Sequence, residues 1–258
     1  MSSPTHWSAG RYDAVGDRIA PISVEVVAAA KQRGRFGDVV DLACGTGSAA
    51  LAAAATGARV TAVDFTPELI EIGVEKAERA GYTVTWLTGD AADTGLPGGT
   101  FDAVVSNMGI IFVEPVSQVA EIARLLKPLG VLGFSSWVHE PGNPFFTPIL
   151  EVLGQPQSAG HSPDQWGETE TISDRLAADF DDVVIESGLH TWQLGSIDAA
   201  MHWVTHESPI HVTLIERIDD TTRERLRDVF ETEFRRCLDA DGNVTYEAPY
   251  VVVTARRR

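Results

Sequence analysis

The stretch VVDLACGTGSAALAAAA, Val39 to Ala55, decides how the chain is read. Val39, Val40 and Leu42 make the apolar run of a strand buried inside a parallel sheet. Gly45 and Gly47 permit a tight turn in which backbone approaches a ligand closely. Ser48 reads as an N-cap, and the small residues behind it suit a helix packed hard on the sheet. A G-x-G-x-x-A turn is a weak signal alone, because unrelated turns also use spaced glycines. Two carboxylates sharpen it: Asp41, four residues before Gly45, and Asp64, at the end of the next strand.

Working outward, ARVTAVDFTPELIEIGVEKAERAG supplies a second strand, Val60 to Val63, and a helix from Thr66-Pro67-Glu68 to about Arg79, closed by Gly81. Val84 to Leu87 is a third strand ending at Gly89-Asp90. Phe101 to Ser106 is a fourth, Val119 to Lys127 an amphipathic helix, and VLGFSSW from Val131 a fifth strand. This alternation predicts a parallel sheet with right-handed crossovers. The following stretch is rich in Pro and Gly through Gly167 and reads as a mobile loop or lid, with one short helix near Thr147 to Leu153. A helix from about Thr171 to Phe180 and a strand near Val183 to Thr191 resume the pattern. Helical stretches from Asp198 to about Glu216 and from Thr222 to Leu238 precede a last strand in VTYEAPYVVVTARR.

The expected class is α/β: a Rossmann-like, doubly wound, mostly parallel seven-stranded sheet with an antiparallel C-terminal edge strand and a small helical cap. We expect one domain over 1–258. Its parts are an N-terminal helical segment (1–37, helix Pro21 to Gln32), a cofactor-binding core (38–137), an acceptor-side lid with helices and one strand (138–240), and a C-terminal strand (241–258).

Composition excludes several classes of function. The formal net charge is −17, and such a surface repels phosphate backbones and anionic membranes, so no nucleic-acid partner is expected. No stretch holds the roughly 20 apolar residues a bilayer span needs, and the N-terminus lacks the apolar core of a secretion signal. Cys44 and Cys237 are too few and too far apart for a disulfide framework, which fits a reducing cytoplasm. Cys44 reads as a small turn residue against the sheet in preference to a nucleophile. A homodimer is left open.

Open α/β sheets bind ligands at the carboxyl ends of their strands, and that edge collects Asp41, Asp64, Asp90 and Ser106-Asn107. Asp64 lies 19 residues beyond Gly45, a spacing that suits a ribose diol and would also fit NAD. A dinucleotide, however, must settle a pyrophosphate on the glycine turn, where the Asp41 carboxylate is unhelpful. Asp41 suits a ligand with an ammonium group, such as S-adenosylmethionine.

DLACGTG resembles the first motif of class I S-adenosylmethionine-dependent methyltransferases, and later blocks recur in that family's order: VTAVDFTPELIEIG, GDAADTGLP, FDAVVSNMGIIFV and EIARLLKPLGVLGFSSW. Together they cover about residues 38 to 137. The nearest subgroup is the small-molecule, ubiquinone/menaquinone-biosynthesis-like type, which W…RYD and SPDQWG also resemble. Leu129 departs from the family's K-P-G-G turn. The resemblance implies that Asp41, Ala43 and the Gly45–Gly47 backbone hold the methionine end. It assigns the ribose hydroxyls to Asp64, the adenine face to Phe65, the adenine edge to Asp90 and Ala91, and the methionine portion to Ser106 or Asn107. Tyr12 would fold over the ligand or anchor its own segment.

Methyl transfer is an in-line displacement onto the acceptor, expected to be a small apolar or aromatic metabolite, and a phenol, amine or thiol acceptor calls for a base. His139, just after the fifth strand, is the candidate, with His161 next. Phe145, Phe146, Trp137, Trp166 and Trp203 could line an acceptor pocket, although several suit a core. His202 and His206 have i,i+4 spacing, but H-E-x-x-H is absent and no metal is expected. The competing readings are a non-catalytic cofactor-binding regulator and an NAD-dependent oxidoreductase.

Overall fold

The computed structural model describes residues 5–155 and 161–258. Residues 156–160 of the expected lid lie outside that range. The described residues form two compact units: the larger comprises residues 19–139, 161–188 and 250–258, and the smaller comprises 5–18, 140–155 and 189–249.

The larger unit is built on the sheet. Its strands are β1 (Asp38–Leu42), β2 (Arg59–Asp64), β3 (Val84–Thr88), β4 (Phe101–Asn107), β5 (Leu126–Trp137), β6 (Phe180–Gln193) and β7 (Thr245–Arg257), in the order β3-β2-β1-β4-β5-β7-β6. β1 to β5 pair in parallel, and β7 runs antiparallel to β5 with Val131 opposite Arg256 and Trp137 opposite Tyr250. The doubly wound, mostly parallel sheet is as the alternation requires. β7, however, is not the edge strand: it lies between β5 and β6, and β6 takes the edge. The burial of each strand explains the exchange. Val251 to Ala255 are all buried, which demands cover on both faces, whereas β6 alternates and carries Asp181, Asp182 and Glu186 outward.

The helices are α1 (Tyr12–Arg33), α2 (Ser48–Ala54), α3 (Pro67–Ala80), α4 (Pro115–Leu125), α5 (Thr147–Leu153), α6 (Thr169–Leu176), α7 (Ile197–His202), α8 (Pro209–Ile215) and α9 (Asp220–Arg236). α3 shows how sequence makes an element here. Pro67 and Glu68 suit the first turn, Gly81 ends the helix at φ 73°, and Leu69, Ile70, Gly73 and Ala77 form the buried face. Burying side chains such as Leu69 and Ile70 stabilises by about 1.5–3 kcal/mol each.

Several element boundaries differ from expectation. α1 begins well before Pro21, which lies inside it; burial of Ile19, Ile22, Val26, Val27 and Ala30 along one face offsets the roughly 3 kcal/mol penalty of an interior proline. α4 begins at Pro115 because Glu114 caps it, accepting from the N–H groups of Val116 (3.1 Å) and Ser117 (2.8 Å). It stops before Lys127, whose helical conformation Pro128 disfavours. The stretch expected as one helix near Asp198 to Glu216 is α7, a π-helical turn (Trp203–Glu207) and α8, with Pro209 in the first turn of α8.

The smaller unit packs α5, α7, α8 and α9 around an aromatic cluster. Phe145 meets Trp192, Trp203, Phe234 and Tyr246 with ring centroids 4.8–6.1 Å apart. Among the described residues no helix is long and apolar enough to cross a membrane.

Candidate functional site

The turn between β1 and α2 is held in an unusual backbone state. Ala43, Gly45 and Gly47 have φ of 52°, 55° and 84°, so three of five consecutive residues are left-handed. Gly47, not Ser48, occupies the cap position of α2. Ser48 is the first helical residue instead, and its hydroxyl accepts from Asn107 Nδ2 at 3.3 Å.

Two buried acids fix this turn. Asp64 Oδ2 accepts from the Gly45 N–H at 2.8 Å and Oδ1 from the Thr66 N–H at 2.9 Å, so one carboxylate joins the turns that follow β1 and β2. Burial raises the Asp64 pKa, and these backbone donors partly offset the rise. Asp41 is fully buried; its Oδ2 accepts from the Ala50 N–H at 2.8 Å. No protein group donates to its Oδ1. Burial pushes the Asp41 carboxyl well above the usual range, and the neighbouring charge of Asp64 adds to the effect. Cys44, between them, is likewise pushed up by burial and by both acids, which disfavours a nucleophilic thiolate.

The other predicted residues gather on the same sheet edge. Phe65 follows Asp64 and is 59% exposed. Asp90, past the end of β3, is exposed and accepts from the Ala92 N–H at 2.8 Å. Ala91 is buried, and its carbonyl accepts from Gln118 Nε2 at 3.0 Å. Ser106 Oγ donates to the Leu42 carbonyl (2.8 Å) and accepts from the Ile110 N–H (3.1 Å). Asn107 accepts from Ser135 Oγ (2.8 Å) and donates to the Ile19 carbonyl (3.2 Å). Both side chains therefore brace the loop after β4. Gly109 in that loop lies so close to Ala43 and Ser106 that a methyl group there would come within 2.9 Å of the Ala43 Cβ.

Sequence reasoning did not find Trp86. Its indole from β3 fills the space beside Gly47 and Gly73, and a methyl group on Gly73 would sit 2.6 Å from Cη2. The signal was divided among three distant positions, none of which is informative alone.

His139 stands at the end of β5 with Nδ1 3.5 Å from Asp164 Oδ2, both well exposed. Trp166 is fully buried against Phe134 and belongs to the core of the larger unit. Tyr12 lies in the smaller unit, its ring edge-on to Trp7 at 5.9 Å. Phe145 and Trp203 are buried in that unit's aromatic cluster, and Phe146 is 42% exposed. His202 and His206 stack at 4.7 Å, but among the described residues no three His, Cys, Asp or Glu side chains converge as a metal site.

A family model described as a methyltransferase domain matches residues 39–130, the span from β1 to the start of β5 that carries this edge. Residues 39–130 are thus similar to a methyltransferase domain. An uncharacterized Mycobacterium tuberculosis protein is 27% identical over 259 residues, spanning 97% of this chain and 92% of its own. The demethylmenaquinone methyltransferase of Thermus thermophilus is 39% identical over 126 residues, 45% of this chain and 57% of that one. Among solved structures, Haemonchus contortus phosphoethanolamine N-methyltransferase 2, bound to phosphomonomethylethanolamine and S-adenosylhomocysteine, shares the fold with a TM-score of 0.54 at 17% identity, covering 90% of this chain and 52% of that one. The methyltransferase resemblance of DLACGTG and the later blocks is borne out.

Proposed function

We propose that this protein transfers the methyl group of S-adenosylmethionine to an O, N, S or C atom of a small apolar or aromatic metabolite. The observation that carries the reading is Asp41 Oδ1: a buried carboxylate oxygen with no protein donor, beside a left-handed glycine turn. A buried acid in that position is stabilised by a ligand cation, and the methionine ammonium is one. A pyrophosphate would instead add charge beside Asp41 and Asp64.

In this reading Asp41, Ala43 and the Gly45–Gly47 backbone hold the methionine end. The Asp64 oxygens each keep a second lone pair for a ribose hydroxyl while accepting from Gly45 and Thr66. The exposed Phe65 ring offers a face to adenine, with Asp90 and Ala91 at its edge. Ser106 and Asn107 serve the methionine portion through the loop they brace. The cofactor supplies an electrophilic methyl carbon. The protein supplies position, which can contribute about 7–11 kcal/mol when both reactants are held in line. His139 is the candidate base, and the likeness to a demethylmenaquinone methyltransferase supports an aromatic or quinone-like acceptor.

Titration calorimetry with S-adenosylmethionine, S-adenosylhomocysteine and NAD tests the cofactor. Binding of NAD without the other two would end this reading. Labelled methyl transfer into metabolite extracts then tests the reaction, and absence of turnover across broad acceptor classes would favour a binding-only protein.

A further inference from the structure

The segment SPDQWG forms a tight 3₁₀ turn, Pro163–Gly167, closed by a capping box between Ser162 and Gln165. It packs on β5 and on the short turn Ile110–Phe112 that follows β4, all within the larger unit. Gly167 rests against the backbone of Trp137 and Val138, at the carboxyl end of β5. This is the strand edge where an open α/β sheet presents its ligands.

Trp166 is 0% exposed, and its Nε1 donor finds no protein acceptor. The Arg175 guanidinium lies over the same indole, 4.6 Å from the ring centroid. Arg175 Nη2 donates to Gln165 Oε1 at 2.7 Å, and the same oxygen accepts from the Ser162 N–H at 3.2 Å, which fixes the guanidinium. Arg175 Nη1 is buried and, like the indole N–H, donates to no protein atom. Among the described residues no carboxylate forms an ion pair with Arg175. Glu168 and Glu114 act on it only at longer range, and burial pulls its pKa down. A protein of net charge −17 thus keeps one half-buried cation without a direct anionic partner, beside a second unused donor. Orphaned buried donors normally destabilise a fold, and a water molecule would leave the charge uncompensated.

We propose that Arg175 Nη1 and Trp166 Nε1 form an oxyanion site, and that its occupant is a carboxylate carried by the methyl acceptor. The guanidinium contributes charge and a directional donor, and the indole contributes a neutral donor on an immobile ring. The assignment of the occupant rests on the methyltransferase reading; the anion site itself does not. Such a site selects acids over their amides or esters, because a neutral ligand leaves the guanidinium unpaired.

The test is an NMR titration of protein labelled with ¹⁵N-tryptophan, saturated with S-adenosylhomocysteine, using sodium benzoate and benzamide at constant ionic strength. Trp166→Phe identifies the indole resonance. Benzoate should shift that resonance saturably and benzamide should not. Arg175→Met should weaken benzoate roughly tenfold or more, and Arg175→Lys, which keeps the charge but loses the planar fork, by less. Affinity for S-adenosylhomocysteine should be unchanged in both. A resonance indifferent to benzoate, or equal benzoate affinity in wild type and Arg175→Met, would overturn the site while leaving the methyltransferase reading standing. Failure of wild type to bind S-adenosylhomocysteine would remove that reading instead. A benzoate response accompanied by methyl transfer only to neutral acceptors would overturn the occupant.

Discussion

The six-membered ring of Trp86 rests on the α-carbon of Gly47. Gly73, on the buried face of α3, meets the same ring, so the indole joins the glycine turn to that helix, which also reaches the turn through Lys76 Nζ donating to Thr46 Oγ1 at 3.4 Å. Gly73→Ala should displace the ring and destabilise by about 1–3 kcal/mol, as overpacking does. Trp86→Phe should cost less in the Gly73→Ala background than alone, because the smaller ring leaves room. A double-mutant cycle on thermal stability should give coupling of about 0.5 kcal/mol or more. Additive effects would contradict the contact.

Asp64 joins the turns after β1 and β2 and, in the proposed function, also holds the ribose. Asp64→Asn turns one acceptor oxygen into a donor facing the Gly45 or Thr66 N–H, so stability should fall by roughly 1–3 kcal/mol. Affinity for S-adenosylhomocysteine should fall more than the loss of folded protein accounts for. Calorimetry on material shown to be folded separates the two, and unchanged affinity would remove Asp64 from the cofactor site.

His139 carries the proposed proton transfer. His139→Ala should lower the methyl-transfer rate about 10²–10⁴-fold and leave cofactor affinity intact. A rate within a few-fold of wild type would show that the acceptor reacts without this base.

His211 in the smaller unit should control acid stability. It is buried, with Nε2 donating to the Phe145 carbonyl at 2.8 Å and Nδ1 accepting from Ser208 Oγ at 2.7 Å. Burial lowers its pKa to about 4 from an ordinary 6.5. The fold favours neutral imidazole, so this contribution is complete above the unfolded value. It is lost as pH falls from 6.5 to about 4, amounting to roughly 3 kcal/mol. Unfolding midpoints across that range should drop steeply in wild type and more gently in His211→Gln; parallel curves would refute the assignment.

The strand–turn–helix core was legible because its evidence is local: apolar runs for β1, β2 and β4, glycines at the turn, and Pro67 and Gly81 bracketing α3. Asp41 and Asp64 were legible as acids at strand ends, where topology gives position a meaning. What stayed hidden is set by contacts distant in sequence. Nothing in Val251 to Ala255 says which strands flank it, and nothing near Pro21 says that a buried face will carry the helix through it. Ser48 resembles an N-cap, yet Gly47 can adopt the left-handed conformation that starts α2. Ser106 and Asn107 look like ligand groups in the sequence; their hydrogen bonds to Leu42, Ile19 and Ser135 appear only when β1, α1 and β5 are in place.

The unsatisfied oxygen of Asp41 also links the ligand to the solvent's acidity. With burial and Asp64 both raising its pKa, the empty site favours a protonated acid at pH values where a free aspartate is ionised. Folded stability from that proton is full below about 3.8 and declines as pH rises through the raised value. A ligand ammonium needs the opposite, ionised form, so its arrival expels the proton. The apparent heat of cofactor binding will therefore change with the ionisation enthalpy of the buffer, and Asp41→Asn will abolish that dependence. On the proposed assignment of Asp41 to the methionine ammonium, the turn is an ion exchanger, trading a hydrogen ion for a methyl donor.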